Sequence, residues 1–98
     1  MRIDKNLIEF LWDKGNISKN KRKHNVEDKE VEEVFFDKHK AIFKDVLHSK
    51  KEERFRVVGE TNKGRLLFVV FTKRHKKIRI ISARDINKKE VYLYEKTT

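Results

Sequence analysis

The sequence contains no cysteine and no proline. Without cysteine there is no disulfide framework, no thiolate nucleophile and no thiolate metal ligand. Long apolar runs are missing too. The longest, Leu66 to Phe71, falls far short of the roughly 20 residues that a membrane span needs, so no membrane partner is expected. The opening residues Met1-Arg2-Ile3-Asp4-Lys5 form neither an apolar signal core nor a small-residue cleavage site, and a cytoplasmic protein is expected. There is no glycine-rich phosphate loop, no dinucleotide fingerprint and no convincing Ser-His-Asp order. The four histidines, His24, His39, His48 and His75, have no close regular spacing, so neither a metal site nor a cofactor is expected.

What the chain does have is charge. Charged residues make up 43% of its 98 positions and apolar residues only 37%, a size that suits one domain spanning 1–98 with a single modest core. The formal charge of +10 is unevenly spread. Residues 1–26 carry seven basic and three acidic groups, 27–53 carry six and nine, and 54–98 carry thirteen and four. A strongly basic half beside a mildly acidic middle fits a polyanionic partner such as nucleic acid, and equally a soluble protein with solvated lysine faces.

Patterning concentrates the apolar residues. Leu7 to Trp12 is strand-like and closes at Asp13, which can cap a largely polar helix over about 14–24, anchored by Ile17, Asn20 and His24. Asn25 falls where a left-handed residue ends a helix. A second helix is predicted over Glu27 to Asp37, with Val31, Val34 and Phe35 as its buried stripe. Strands follow at Ala41–Leu47, Arg54–Glu60, Arg65–Lys73 and Lys77–Arg84, joined by turns at Thr61-Asn62-Lys63-Gly64 and Arg74-His75-Lys76. Asn87 can cap a last helix over Lys88–Lys96, docked through Val91 and one of Tyr92 and Tyr94. The predicted class is α+β: a mainly antiparallel sheet of four to five strands, two N-terminal helices and one C-terminal helix.

Arginines are interleaved with the strands at Arg54, Arg56, Arg65, Arg79 and Arg84. Strict alternation would place Arg79 on one face with Ile81 and Ala83, and Arg84 on the other with Ile78, Ile80 and Ser82. An arginine among apolar neighbours needs a carboxylate, for which Glu52, Glu53 and Asp85 are candidates, or an anionic ligand; the sequence leaves both open. His48, shortly before Glu53 and Arg54, completes a minimal kit for RNA cleavage. Imidazole moves a proton near neutrality, a carboxylate orients it, and a guanidinium stabilises charge on phosphorus. His48 is equally a loop residue that merely caps the hairpin, and His24 a helix-end residue favoured by the dipole. The Lys73-Arg74-His75-Lys76-Lys77 run grips phosphates or is simply a solvated hairpin tip.

Four separated blocks carry a family resemblance. They are Trp12-Asp13-Lys14-Gly15-Asn16 with Lys19-Asn20 and Lys23-His24; Val26, Glu30 and Glu32 to Asp37; His48-Ser49 with Glu53-Arg54 and Gly59; and Gly64 to Thr72 with Ile78 to Arg84, Lys89-Glu90 and Tyr94-Glu95. In this order and spacing the chain resembles the BrnT toxins. Asn25 stands where that family usually has glycine, and Glu27 where a Ser or Thr cap is common. The resemblance implies a RelE-like endoribonuclease toxin that inhibits translation without a metal. Its implied partners are a BrnA-like ribbon-helix-helix antitoxin and, through that antitoxin, operator DNA. It suggests His48, Glu53, Arg54, Arg79 and Arg84 as catalytic, and Lys23 and Tyr94 as flanking RNA contacts; the basic strands and turn add Arg65, Arg74, Lys76 and Lys77 as further RNA contacts. The alternatives are a basic module that holds RNA or DNA without cutting it, and a purely structural partner of another protein.

Overall fold

Strand-forming residues are densest between 54 and 85, and there the chain doubles back on itself twice. The computed structural model describes residues 8–46 and 52–95. In it, β1 (Ala41–Lys44), β2 (Arg54–Glu60), β3 (Leu66–Arg74) and β4 (Lys77–Asp85) form one sheet in the order β1-β2-β3-β4. Every neighbouring pair is antiparallel. Helices α1 (Lys19–His24) and α2 (Asp28–Val34) precede the sheet, and a 3₁₀ turn (Lys88–Glu90) leads into α3 (Val91–Glu95). The class is α+β, with four strands.

Alternating residues of β2, β3 and β4 build the core against α2. Val31, Val34 and Phe35 pack onto Val57, Leu67, Val69, Phe71, Ile78, Ile80 and Ala83. Phe35 meets Phe10 and Phe71 edge-on, with centroids 5.3 and 5.1 Å away. A seven-residue helix is too short to stand alone. Full burial of each such side chain contributes about 1.5–3 kcal/mol, so the stripe on α2 holds the helix in place. Gly59 permits the close fit, since a Cβ there would come within 2.7 Å of Val34 Cγ1.

Several boundaries differ from the sequence reading for local reasons. The first helix is confined to 19–24 because Ser18 is left-handed at φ 55°, which breaks a continuous helical backbone. Residues 14–18 instead form turns whose first N–H groups, from Asn16 and Ile17, donate to the carbonyl of Asp13. Asn25 takes the left-handed conformation expected of it, with φ 56°. Glu27 caps α2 in place of Ser or Thr, its own N–H donating to the Glu30 carboxylate at 3.0 Å. Beyond Val34 the chain tightens, as Phe35, Phe36 and Asp37 donate to carbonyls three residues back. The last helix likewise opens as a 3₁₀ turn, with the Asn87 side chain accepting the Glu90 N–H.

Of the stretch over 7–12, expected to be strand-like, the described residues 8–12 make a single parallel bridge, Phe10 to Ile78. Residues 9–20 nevertheless screen the outer edge of β4. Ile78 N–H donates to the Glu9 carbonyl and Leu11 N–H to the Ile78 carbonyl. Asn16 Nδ2 donates to the Ile80 carbonyl, Lys19 Nζ donates to that of Ile81, and Asn20 Oδ1 accepts the Ala83 N–H. Edge groups that would otherwise template further pairing are thereby satisfied.

One irregularity decides where the arginines point. Val70 faces Ser82 but Phe71 faces Ile80, so Ile81 is an extra residue in β4. Such a bulge shifts the alternation of one strand by one place. Strict alternation put Arg79 and Arg84 on opposite faces; the bulge corrects that. Ile78, Ile80 and Ala83 all enter the core, and Arg79 and Arg84 share the face turned away from α2.

Candidate functional site

Residues paired across neighbouring strands project to the same side of a sheet. On the side away from α2, one row therefore holds Arg54, Thr72 and Arg79; the next holds Phe43, Arg56, Val70 and Ser82; a third holds Ala41, Val58, Phe68 and Arg84. Four arginines from β2 and β4 share one surface with two aromatic rings.

Their environments differ. The Arg56 guanidinium lies 5.9 Å from the Phe43 ring and 6.0 Å from the Phe68 ring. Its Nε is buried without an acceptor, and no acid of the described residues forms an ion pair with it. Arg79 is held at one point, with Nη1 donating to Asp13 Oδ2 at 2.6 Å. Arg84 is more fully engaged. Its two Nη atoms grip both oxygens of Glu90 at 2.8 and 2.7 Å, and the guanidinium lies 4.4 Å from the Phe68 ring. It thereby fastens the C-terminal segment to the sheet.

Other residues singled out in the sequence lie elsewhere. Arg65 is a clasp between layers: Nε and Nη2 bind Asp85, while Nη1 binds Glu30 and the carbonyl of Asn25. Tyr94 donates its hydroxyl to Asp37 at 2.7 Å and so anchors α3. Glu53 is exposed and pairs with Lys44 at 3.4 Å. Lys23 is exposed on α1. His48 lies outside the described residues. Arg74, Lys76 and Lys77 surround the β3–β4 turn, where His75 and Lys76 are both left-handed, at φ 50° and 69°. This is the turn geometry that suits the twist of a hairpin, although neither residue is Gly or Asn. Arg74 pairs with Glu52 at 3.2 Å and Lys77 with Glu9 at 3.7 Å.

Four residues of this region were not selected as site residues from the sequence. Arg56 differs from Arg79 and Arg84 in pairing with no acid of the described residues, which the linear order does not reveal. Phe43 and Phe68 lie in apolar strand segments, and both face the arginines. Asp45 is 7% exposed and donates its N–H to the Arg54 carbonyl; nothing in the local sequence marked it as buried. Among the described residues no group of three or more His, Cys, Asp or Glu is placed to hold a metal ion. No helix among them is long and apolar enough to cross a membrane.

These pairings make stability depend on pH. The Arg79 hydrogen bond lowers the Asp13 carboxyl below its ordinary range; Arg65 does the same for Asp85 and Arg84 for Glu90. Asp37 is also lowered: burial opposes the shift, but bonds from His39 N–H, Tyr94 and Glu60 N–H outweigh it. The unfolded chain therefore takes up protons at higher pH than the folded one. The stabilisation is complete above the ordinary carboxylate range and is lost as pH falls through the depressed folded values. Burial, then the Asp37 bond, pushes the Tyr94 phenol up, so its contribution holds below the ordinary tyrosine value near 10 and is lost as pH rises beyond it. Melting temperature should be level from about pH 5 to 9 and fall on both sides. An Asp37→Asn variant should blunt both declines.

The family profile described as the ribonuclease toxin BrnT of type II toxin-antitoxin systems matches residues 12–90 of the chain. Comparison with individual curated proteins gives no match. The matched span contains α1, α2, all four strands and Glu90, and hence every arginine of the face described above.

Proposed function

This chain belongs to the BrnT family of ribonuclease toxins of type II toxin-antitoxin systems, and from that premise we propose that the sheet face bearing Arg54, Arg56, Arg79 and Arg84 is where RNA binds and is cut. The observation that carries the reading is Arg56: a guanidinium on that face with a buried Nε lacking any acceptor. A buried donor without a partner is costly, and a phosphate oxygen relieves the cost.

Cleavage runs through the neighbouring 2′-hydroxyl. A general base takes its proton, the 2′-oxygen bonds to phosphorus, and the bond to the 5′-oxygen breaks with protonation of the leaving oxygen. The products are a 2′,3′-cyclic phosphate and a 5′-hydroxyl. Arg56 and Arg79 neutralise charge gathering on the non-bridging oxygens, since donors fixed before reaction stabilise the transition state without reorganising. Glu53 and His48 are the candidates for proton transfer. Phe43 and Phe68 back the arginines, and Arg74, Lys76 and Lys77 extend the positive surface along the strand to be bound. Arg84 holds the C-terminal segment in place rather than reaching the phosphate.

The reaction needs no metal, and its outcome in the cell is inhibition of translation in the cytoplasm. A BrnA-like ribbon-helix-helix antitoxin covers the face and carries the pair to operator DNA. Purified protein incubated with RNA in excess EDTA, followed by end mapping, tests the central claim. Internal cuts bearing 2′,3′-cyclic phosphates are expected. RNA that is retarded in a gel in a salt-dependent way yet stays full length would sink the nuclease and leave a binding module in its place.

A further inference from the structure

We propose that Gly15 and Asp13 are positioning residues for Arg79, setting where its guanidinium meets the substrate phosphate; this rests on the RNA-cleaving role given to the sheet face above. A Cβ built on Gly15 would lie 2.8 Å from Arg79 Nη2 and 3.2 Å from Asp13 Oδ1. The guanidinium occupies the space that any other residue at 15 would fill. Gly15 is not needed for its backbone freedom, because Gly64 is the glycine with positive φ among the described residues. What the position requires is a missing side chain.

The turn that holds Arg79 is itself rigid. Asp13 Oδ1 accepts the Gly15 N–H at 2.8 Å while Oδ2 accepts from Arg79 Nη1 at 2.6 Å, so both oxygens of one carboxylate are committed. The Asp13 N–H donates to Asn16 Oδ1 at 2.8 Å. Asn16, 3% exposed, donates Nδ2 to the carbonyls of Leu11 and Ile80. Ile80 directly follows Arg79 in β4. The loop that locates the guanidinium is thus tied to the very strand that carries it.

Arg79 is 15% exposed as a side chain, against 48% for Asp13. Asp13 is the acceptor that the described residues supply to its guanidinium, so further N–H groups remain for a phosphate, which arginine grips with a planar fork. A methyl group on residue 15 would displace the fork without touching the core. Shifts of about 1 Å at a reacting centre cost on the order of 100-fold in rate.

The test combines kinetics with a readout free of RNA. Gly15→Ala, Arg79→Lys and the double variant are compared in RNA cleavage. Gly15→Ala should lower kcat by about 10–100-fold, leave KM within about threefold and leave the melting temperature unchanged. In the Arg79→Lys background, where no second Nη exists to collide, the same substitution should cost nothing further. Nitrogen-15 NMR of the arginine side chains should show the Arg79 Nε–H resonance shifted in Gly15→Ala and in Asp13→Asn, with the others in place. An unmoved Arg79 resonance, or an equal loss in both backgrounds, overturns the positioning role even if RNA is cleaved. A shifted resonance together with an Arg79→Lys variant that cleaves like wild type leaves the geometry intact and refutes the substrate role of Arg79 on which the inference depends.

Discussion

Replacing Arg56 with alanine should reduce RNA cleavage by roughly 10²–10³-fold and leave the protein folded. Of the four arginines on the face, Arg56 is the one whose Nε is buried without an acceptor. Its guanidinium sits between two rings at 5.9 and 6.0 Å, which restrict its movement and leave it ready for an anion. Removing it forfeits contacts worth about 0.5–1 kcal/mol each at partly exposed sites, a drop of several degrees in melting temperature for a domain of this size. That is small beside the loss of rate. Arg56→Lys keeps the charge and loses the planar fork; it should retain most of the RNA affinity, read by titration, and little of the cleavage. An Arg56→Ala enzyme with wild-type rate would remove this residue from the chemistry.

Glu90→Ala should move stability and RNA affinity in opposite directions. Both Glu90 oxygens bind Arg84, and Oε1 also accepts the Asn87 N–H at 3.0 Å. The carboxylate therefore secures the 3₁₀ turn and, through it, α3. Breaking a fully buried pair costs about 3–5 kcal/mol, but the Arg84 side chain is 37% exposed and water screens it. A loss nearer 1–2 kcal/mol is expected, seen as a melting point lowered by about 5–15 °C. The same change leaves the sheet face with one acid fewer beside Arg84, and with less negative field on Arg56, which Glu90 also feels. RNA should bind more tightly at low salt, and the slope of log affinity against log salt should steepen by about 0.7. Denaturation and salt titration on one preparation check both halves. A variant that is destabilised with no gain in affinity would show that Arg84 stays out of reach of RNA even when freed.

The sheet and the second helix were legible because periodicity and turn residues agreed. Val31, Val34 and Phe35 are spaced for a helix stripe and are all buried, and Gly64 closes the first hairpin in the left-handed conformation its turn demands. Ser18 was not legible: a left-handed serine in a polar stretch is imposed by the contacts of Asn16 and Asn20 with β4, which are remote in sequence. The arginine face was harder still. Composition located the arginines, but their common orientation depends on Ile81 being surplus in β4, and nothing in Ile80-Ile81-Ser82 announces that. Pairing was just as hidden. Arg79 and Asp13 are 66 positions apart, and Asp85, one of three acids considered for the arginines, turned out to serve Arg65.

The surplus isoleucine has an evolutionary corollary. Odd and even positions trade places partway along β4, so its two halves keep different parity, and the strand can lose one residue at that point without exchanging its inner and outer sides. Deleting Ile81 would restore a regular ladder with Ile78, Ile80 and Ala83 still against the hydrocarbon interior and both guanidinium groups still outside it.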